Sequence, residues 1–258
     1  MKKLIYILLG CSLVSLSFVA FREKPVLYII GDSTVKNGSG KGSDALWGWG
    51  SLIDSYFDST RISIENRAIG GRSSRTFITE GRWDTILKTL KKGDYVLMQF
   101  GHNDAGPLDD TSRARGTIKG IGTESKDIYN PIRKINETVY TYGHYMRRYI
   151  REAKEKGAVP IVCSPVPRNN FKDGKTKRGD QDYGLWSKQV AAEEHALFID
   201  LNALIADAYD TMGADEVDKF FPKDHTHPNK EGSTLNAAKV VEGIKALNDS
   251  DLKKYLKQ

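Results

Sequence analysis

The chain has 258 residues, of which 39% are hydrophobic, 28% charged and 10% aromatic, and its formal net charge is +6. This composition excludes an intrinsically disordered chain, a collagen and a multi-span membrane protein. A chain of this length buries roughly 70–75% of its unfolded surface, so it needs no disulfide or structural metal to fold. We expect one globular domain, residues 21–258, behind a distinct N-terminal segment.

The first twenty residues have the pattern of an export signal. Two lysines precede residues 4–20, a run of 17 residues without a charge, and charged residues follow. This pattern is typical of a signal peptide and lies at the short limit for a membrane span. Cleavage after Ala20 predicts a periplasmic or extracellular protein. Leu8-Leu9-Gly10-Cys11 also resembles a lipoprotein box, so a lipid anchor at Cys11, which would bring the protein to a membrane, and a retained anchor stay open.

Removal of this segment leaves 37 Lys and Arg residues against 33 acidic residues, a net charge of +4. The chain lacks the dense Lys/Arg run of a nucleic-acid-binding protein, so we expect no nucleic-acid partner. The modest positive charge is compatible with an acidic polymer without selecting one. Cys163 would then be the only cysteine, which excludes a disulfide framework, and its apolar neighbours indicate an inert buried thiol.

Five short apolar segments recur along the chain at intervals too long for hairpins. Three of them are almost continuously apolar, as in parallel strands that are covered on both faces. The segments are Val26–Ile30, Ile62–Ala68, Tyr95–Phe100, Val159–Ser164 and Ala196–Leu201. Helical periodicity between them predicts a doubly wound α/β sandwich with right-handed crossovers.

Two long helices and one long loop stand out between and after these strands. The periodicity predicts a helix from Ile132 to Lys156 and a final helix from Lys230 to Asn248. Residues Asn103–Pro131 are rich in Gly, Thr and Asp and show little periodicity. A loop of that length in a compact domain is usually functional, so we expect it near the site.

Glycines and polar residues follow three of the predicted strands, at the edge where an open α/β sheet binds its ligands. Ser33 follows the first strand, near the expected N-terminus of a helix, where free N–H groups favour an anion. After the second strand, Gly70-Gly71 leaves the Gly71 N–H available as a donor. Asn103 follows the third strand and can direct its side-chain amide into the site. Taken singly, each segment is also explained as a helix cap or a tight turn.

A fourth polar segment, Asp224-His225-Thr226-His227, precedes the last predicted helix. Asp224 can accept a hydrogen bond from Nδ1 of His227, which leaves Nε2 outward as a base. A metal site formed by Asp224, His225 and His227, or a purely structural histidine, stays open as an alternative. Together the four segments supply a nucleophile, an oriented base and oxyanion donors, which acyl transfer through a serine intermediate requires.

The four segments resemble, in identity and order, the motif blocks of the SGNH (GDSL-like) hydrolases. The blocks are Gly31-Asp32-Ser33, Gly71, Gly101-His102-Asn103-Asp104 and Asp224-His225-Thr226-His227, and the likeness extends over about residues 26–245. Three longer stretches, residues 31–35, 66–73 and 224–227, look like the rhamnogalacturonan acetylesterases within that superfamily.

The resemblance implies Ser33 as nucleophile, Asp224 and His227 as its partners, and an oxyanion hole formed by Ser33, Gly71 and Asn103. It also implies a flavodoxin-like, three-layer α/β/α sandwich of about five parallel strands, with no metal or organic cofactor. The implied activity is the removal of O-acetyl groups from plant cell-wall polysaccharide, foremost the rhamnogalacturonan of pectin. We expect the enzyme to be a secreted monomer whose partner is the acetylated polysaccharide.

Candidate substrate-binding residues lie beside the nucleophile and oxyanion segments. Arg72 and Arg75 can pair with galacturonate carboxylates, whereas Trp47 and Trp49 can stack on sugar rings. The alternative is that the arginines are solvated and the tryptophans lie in the core. Two other functions stay open: an SGNH esterase for acetylated xylan, sialic acid or a lipid ester, and a non-catalytic carbohydrate-binding protein.

Overall fold

A computed structural model describes residues 24–36 and 45–257 of the chain. The predicted export signal, residues 1–20, and its alternative lipidation site Cys11 lie outside the described residues. Nine strands are present in the described part: β1 (Val26–Gly31), β2 (Ser63–Asn66), β3 (Tyr95–Gln99), β4 (Ser125–Asn130), β5 (Ile135–Tyr140), β6 (Val159–Cys163), β7 (Phe171–Lys172), β8 (Lys175–Thr176) and β9 (Leu197–Ile199).

Five of these strands form a parallel sheet in the order β2-β1-β3-β6-β9. They are the five strands that the apolar segments predict, so the predicted doubly wound sheet is confirmed. Counted along the chain within the sheet, the order is 2-1-3-4-5, which is that of flavodoxin-like folds. The other four strands form two antiparallel hairpins, β4–β5 and β7–β8, outside the sheet.

Helices cover both faces of the sheet. The α-helices are α1 (Ser74–Thr79), α2 (Arg82–Leu87), α3 (Tyr142–Glu155), α4 (Tyr183–Glu193), α5 (Leu201–Met212), α6 (Ala214–Asp218) and α7 (Lys230–Ala246). Alternate residues of each central strand point to opposite faces. One set packs with α5, α6, α7 and three 3₁₀ turns (Trp49–Ser51, Ile53–Tyr56 and Asp251–Tyr255), and the other packs with α1 to α4. The result is a three-layer α/β/α sandwich.

The predicted helix from Ile132 is wrong over its first ten residues. That stretch instead forms the turn and second strand of the β4–β5 hairpin, and α3 begins at Tyr142. The β-branched residues of β5 favour a strand once β4 is available as a partner. Thr141 then starts the helix, because its side chain accepts a hydrogen bond from the N–H of His144. The predicted final helix is confirmed, with its end at Ala246 rather than Asn248.

Cys163 lies fully buried in the sheet, and burial raises the pKa of its thiol well above the ordinary value, so the predicted buried thiol is confirmed. None of the helices in the described ranges is long and apolar enough to cross a bilayer.

Candidate active site

Ser33 lies in a tight turn directly after β1. The Asp32 carboxylate stabilises this turn by accepting hydrogen bonds from the N–H and the hydroxyl of Thr34, at 2.9 and 2.8 Å. Gly31 is required before it, since a Cβ there would lie 2.6 Å from the carbonyl oxygen of Gln99 on β3. The expected helix is not present at Ser33 within the described residues, where a single turn places the hydroxyl at the surface of a cleft.

A chain of two short hydrogen bonds connects Ser33 with the segment before α7. Ser33 Oγ lies 2.8 Å from Nε2 of His227, and Nδ1 of His227 lies 2.8 Å from Oδ2 of Asp224. The other carboxylate oxygen, Oδ1, accepts from the backbone N–H groups of Thr226 and His227 at 2.6 and 2.8 Å. The structure thus brings the three predicted triad residues together, although 194 positions separate Ser33 from His227.

The surroundings of Asp224 favour its ionised form. Partial burial acts to raise its pKa, but hydrogen bonds from the His227 ring and from the N–H groups of Thr226 and His227 hold that pKa below its ordinary value. A carboxylate at this position can keep Nδ1 of His227 protonated, which leaves Nε2 free to accept the Ser33 proton. The arrangement is therefore suited to general base catalysis on a serine hydroxyl.

The three predicted oxyanion donors line the same cleft as Ser33 and His227. Gly71 has a φ of +78°, a left-handed conformation that favours glycine. In the described part of the chain, the N–H groups of Ser33 and Gly71 have no backbone acceptor. The buried side chain of Asn103 donates through Nδ2 to the carbonyl of Arg72 at 2.9 Å, which fixes its amide and leaves the second N–H of that group for a ligand.

The cleft around Ser33 is strongly basic. Among the described residues, four guanidinium groups line it together with one carboxylate, Glu80, which already accepts hydrogen bonds from Arg72 and Arg82. The four are Arg72, Arg113, Arg115 and Arg168. Sequence reasoning identified only Arg72. Arg113 and Arg115 belong to the long loop that was expected near the site, whereas Arg168 follows β6, another strand end.

Two predicted substrate-binding residues are wrong because the structure buries them. Arg75 is 0% exposed and donates through Nη2 to the carbonyls of Leu108 and Ala114, so it supports the long loop from beneath. Trp49 is also 0% exposed, and its Nε1 donates to Gln99 inside the core. Neither side chain can reach a bound polysaccharide.

The other two predicted substrate-binding residues lie at the surface. Arg72 lines the cleft, where its Nη1 donates to the carbonyl of Gly70 at 3.0 Å. Trp47 is partly exposed, and its backbone N–H donates to Pro228, directly after His227. Their roles in substrate binding stay predictions.

The alternative metal site does not form. The side chains of Asp224 and His227 are hydrogen-bonded to each other, whereas His225 Nε2 lies 3.2 Å from Nη1 of Arg168. The three side chains therefore do not converge. Across the described ranges, no group of three His, Cys, Asp or Glu side chains is placed to hold a metal ion.

Asp104, next to Asn103, is a buried carboxyl that sequence reasoning did not single out. Its Oδ1 accepts from the N–H and the hydroxyl of Ser74, at 3.1 and 2.5 Å, but within the described residues Oδ2 has no hydrogen-bond partner. Burial raises its pKa to about 7, against the opposing effect of the Ser74 hydrogen bonds. Folding therefore favours the protonated form of this group.

This raised pKa predicts a pH-dependent stability. The contribution of Asp104 to the free energy of unfolding is complete at low pH, below its pKa in the unfolded chain. It is lost as the pH rises through its pKa in the folded protein. Relative to the Asp104→Asn variant, we expect the wild-type protein to lose on the order of 2 kcal/mol of unfolding free energy between pH 5 and pH 8. Urea unfolding at both pH values measures the difference. Asp84→Asn, at an exposed carboxylate, is the control, and a pH-independent difference for Asp104→Asn would contradict the assignment.

Comparison with known proteins places the chain among esterases. The sequence model of the GDSL-like lipase/acylhydrolase family matches residues 29–235, a range that includes Ser33, Asn103 and His227. The rhamnogalacturonan acetylesterase of Emericella nidulans is 35% identical over 244 residues, which cover 92% of this chain and 94% of that protein. The probable rhamnogalacturonan acetylesterase YesY of Bacillus subtilis is 34% identical over 226 residues, covering 86% and 93%. The crystal structure of the YxiM protein of Bacillus subtilis is similar with a TM-score of 0.69 and 27% identity, covering 86% of this chain and 56% of that chain.

Proposed function

Because the chain belongs to the GDSL-like lipase/acylhydrolase family and is an acetylesterase, a carboxylic ester hydrolase, we propose that its substrate is the O-acetylated rhamnogalacturonan of pectin. Two relatives that cover nearly the whole chain are named as rhamnogalacturonan acetylesterases, which supports this choice. The observation that carries it is that four guanidinium groups line the same cleft as Ser33, since this polymer bears galacturonate carboxylates.

The chemistry we propose begins with Ser33 as nucleophile. Nε2 of His227, 2.8 Å away, takes the hydroxyl proton as Oγ attacks the acetyl carbonyl carbon. The carbonyl π electrons move to the oxygen, and the N–H groups of Ser33, Gly71 and Asn103 stabilise the negative charge that forms there. His227 then protonates the departing sugar hydroxyl, and an acetyl-serine remains.

The second half of the reaction repeats these steps with water. His227 removes a proton from the water as it attacks the acetyl-serine, the oxyanion donors act again, and the return of the proton to Ser33 releases acetate. Asp224 holds the His227 ring through both steps and stabilises its charged form. Ser33 and His227 thus carry all proton transfers of the protein, and Asp224 takes no proton.

Arginine is the residue best suited to recognise a uronate beside the scissile ester. A guanidinium binds a carboxylate through two parallel hydrogen bonds, whereas neutral xylan offers no such partner. Arg115 donates to the carbonyl of Gly71 at 3.0 Å and Arg168 to the hydroxyl of Thr226 at 2.8 Å, so both are held in place at the rim of the cleft. Arg113 is exposed on the same side.

Acetate release from a panel of polymers tests the substrate. The panel contains acetylated rhamnogalacturonan, acetylated homogalacturonan and acetylated xylan at equal acetyl concentration, with Ser33→Ala as the blank. We expect the highest kcat/KM on rhamnogalacturonan. Equal or faster release from xylan would overturn the substrate proposal and leave the esterase intact. Absence of release from every polymer and from p-nitrophenyl acetate would overturn the assignment of Ser33 as nucleophile.

The exposed guanidinium of Arg113 gives a direct test of acidic recognition. We expect Arg113→Gln to raise KM for acetylated rhamnogalacturonan about three- to fivefold, because an exposed ion pair contributes up to ~1 kcal/mol. The kinetic constants for uncharged p-nitrophenyl acetate should stay within twofold. Arg151→Gln, an exposed guanidinium on α3 outside the cleft, is the matched control. An unchanged KM on the polymer, or an equal change on both substrates, would argue against uronate binding at this residue.

We further propose that the enzyme acts outside the cytoplasm. Pectin is a polymer of the plant cell wall, and the uncharged run over residues 4–20 behind two lysines has the pattern of a cleavable leader. Both points favour an exported enzyme that meets its substrate at or beyond the cell surface.

A further inference from the structure

A second Asp–His pair lies beside the proposed catalytic residues and takes no part in the mechanism above. Asp32 directly precedes Ser33, and His102 directly precedes Asn103. Nδ1 of His102 lies 3.3 Å from Oδ2 of Asp32, and Nε2 lies 3.0 Å from the carbonyl oxygen of Val166. The side chains are 5% and 0% exposed, so both contacts are largely shielded from solvent.

Both partners of the His102 ring can only accept hydrogen bonds when Asp32 is ionised. A neutral imidazole has one N–H and one acceptor nitrogen, so it can satisfy only one of the two contacts. The second nitrogen would then direct its lone pair at a buried oxygen, which is unfavourable. An imidazolium donates to both oxygens at once. We propose that His102 is a positioning residue, an imidazolium paired with the Asp32 carboxylate that holds Asn103 in register with Ser33.

The surroundings of Asp32 support the charged pair. Burial acts to raise the pKa of Asp32, but the interaction with His102 and the hydrogen bonds from Thr34 outweigh it and hold that pKa below its ordinary value. Asp32 therefore remains a carboxylate although it is 0% exposed. A buried carboxylate requires a cationic or strongly donating partner, and His102 is the group that its second oxygen faces.

Other charges near the pair act in both directions. The ionised form of Asp104, a buried carboxyl nearby, favours a cation at His102. Arg168 opposes that cation, since its Nη2 donates to the His102 carbonyl oxygen at 3.3 Å. Arg115 stabilises the negative charge of both Asp32 and Asp104. Of these charged groups, the Asp32 carboxylate is the one that the structure places in hydrogen-bond contact with the His102 ring itself, at 3.3 Å.

The position of the pair explains what it contributes. Asp32 is part of the turn that presents the Ser33 hydroxyl, and His102 is joined by one peptide bond to the oxyanion donor Asn103. The pair thus connects two segments that must keep a fixed separation for attack and for stabilisation of the charge that follows. A looser connection lowers kcat more than it raises KM. The inference rests on the proposed roles of Ser33 and Asn103.

The Asp32→Asn variant removes the negative charge of the pair but keeps the size and shape of the side chain. The Asn Oδ1 still accepts from Thr34, and its Nδ2 donates to a neutral His102 whose Nε2–H keeps the bond to Val166. We expect kcat for p-nitrophenyl acetate to fall about tenfold with KM unchanged within twofold. His102→Gln, which keeps one of the two ring contacts, should lower kcat ten- to fiftyfold. Asp94→Asn, at a buried carboxylate before the amino end of β3, is the matched control with wild-type kcat.

The protonation state is measured independently of catalysis by ¹⁵N NMR of the five histidines in the labelled protein at pH 7.5. We expect two protonated ring nitrogens for His102 in the wild-type chain and one in Asp32→Asn. The His102 signals are assigned from His102→Gln or, if that variant does not fold, by replacing the other four histidines in turn. A neutral wild-type His102, or wild-type kcat in Asp32→Asn, overturns the inference. An active Ser33→Ala enzyme would instead overturn the proposed mechanism and leave the NMR result standing.

Discussion

Replacement of Ser33 by Ala is expected to lower kcat by about four to six orders of magnitude, on both p-nitrophenyl acetate and acetylated rhamnogalacturonan. The reason is that Oγ supplies the bond of the acetyl intermediate, and water in its place would have neither its position nor its hydrogen bond of 2.8 Å to His227. Substrate binding should persist, because the guanidinium groups that line the cleft are unchanged. Steady-state acetate release measures kcat, and isothermal titration with a de-acetylated oligosaccharide measures binding.

Two controls accompany this variant. Ser55→Ala removes an exposed hydroxyl that donates to the carbonyl of Leu52 and does not line the cleft, so it should leave kcat unchanged. A fluorophosphonate probe should label the wild-type protein and the Ser55 variant but not Ser33→Ala. Labelling of Ser33→Ala at another hydroxyl, together with retained activity, would show that the nucleophile lies elsewhere.

The sheet and the strand-end residues were predictable because both depend on local patterns. An almost continuously apolar run such as Tyr95–Phe100 is stable only when both faces are covered, so it predicts a central parallel strand without knowledge of its neighbours. The carboxyl ends of parallel strands meet at one edge, and this rule brings Ser33 and Asn103 together. The spacing of Asp224 and His227 predicted their pairing, and the motif resemblance assigned them to Ser33, from which they are separated by most of the chain.

Features that depend on distant partners were not predictable in this way. Residues 132–141 have apolar positions compatible with a helix, and only pairing with β4 makes them a strand. Arg75 follows two glycines and a polar turn, which suggested solvent. However, Ser73 caps α1 and directs the next turn inward, so that the guanidinium meets backbone carbonyls of the long loop. The cations Arg113 and Arg168 meet at the cleft because two separate loops fold over it.

The contacts of the His102 ring were likewise not predictable from the sequence. In the sequence, Gly101-His102-Asn103-Asp104 marks the donor Asn103, and the histidine before it has no recognisable role. Its two ring contacts become visible only when the end of β1 and the end of β6 are placed beside it. A charged group that acts through another residue can therefore be identified only from the structure. The nucleophile and the oxyanion donors, in contrast, can be predicted from their positions at strand ends.

Removal of the Asn103 amide is expected to have the second largest effect. We expect Asn103→Ala to lower kcat about 10²- to 10³-fold, or ~3–4 kcal/mol, with KM changed less than threefold, because an oxyanion donor acts on charge that is absent from the ground state. The variant also loses the hydrogen bond to the carbonyl of Arg72, so its stability must be measured by urea unfolding beside its kinetics.

Asn202→Ala is the matched control for that loss. Asn202 is equally buried, at 7% exposure, and its Nδ2 likewise donates to a backbone carbonyl, that of Pro165 at 2.7 Å, but it does not line the cleft at Ser33. Asn202→Ala should lose at least as much unfolding free energy as Asn103→Ala, since it also removes the hydrogen bond that Oδ1 accepts from the Gly179 N–H at 2.9 Å. Only Asn103→Ala should lose kcat by two orders of magnitude or more. Equal kcat in the two variants would mean that the Asn103 amide does not stabilise the oxyanion, and that the backbone N–H groups of Ser33 and Gly71 are sufficient.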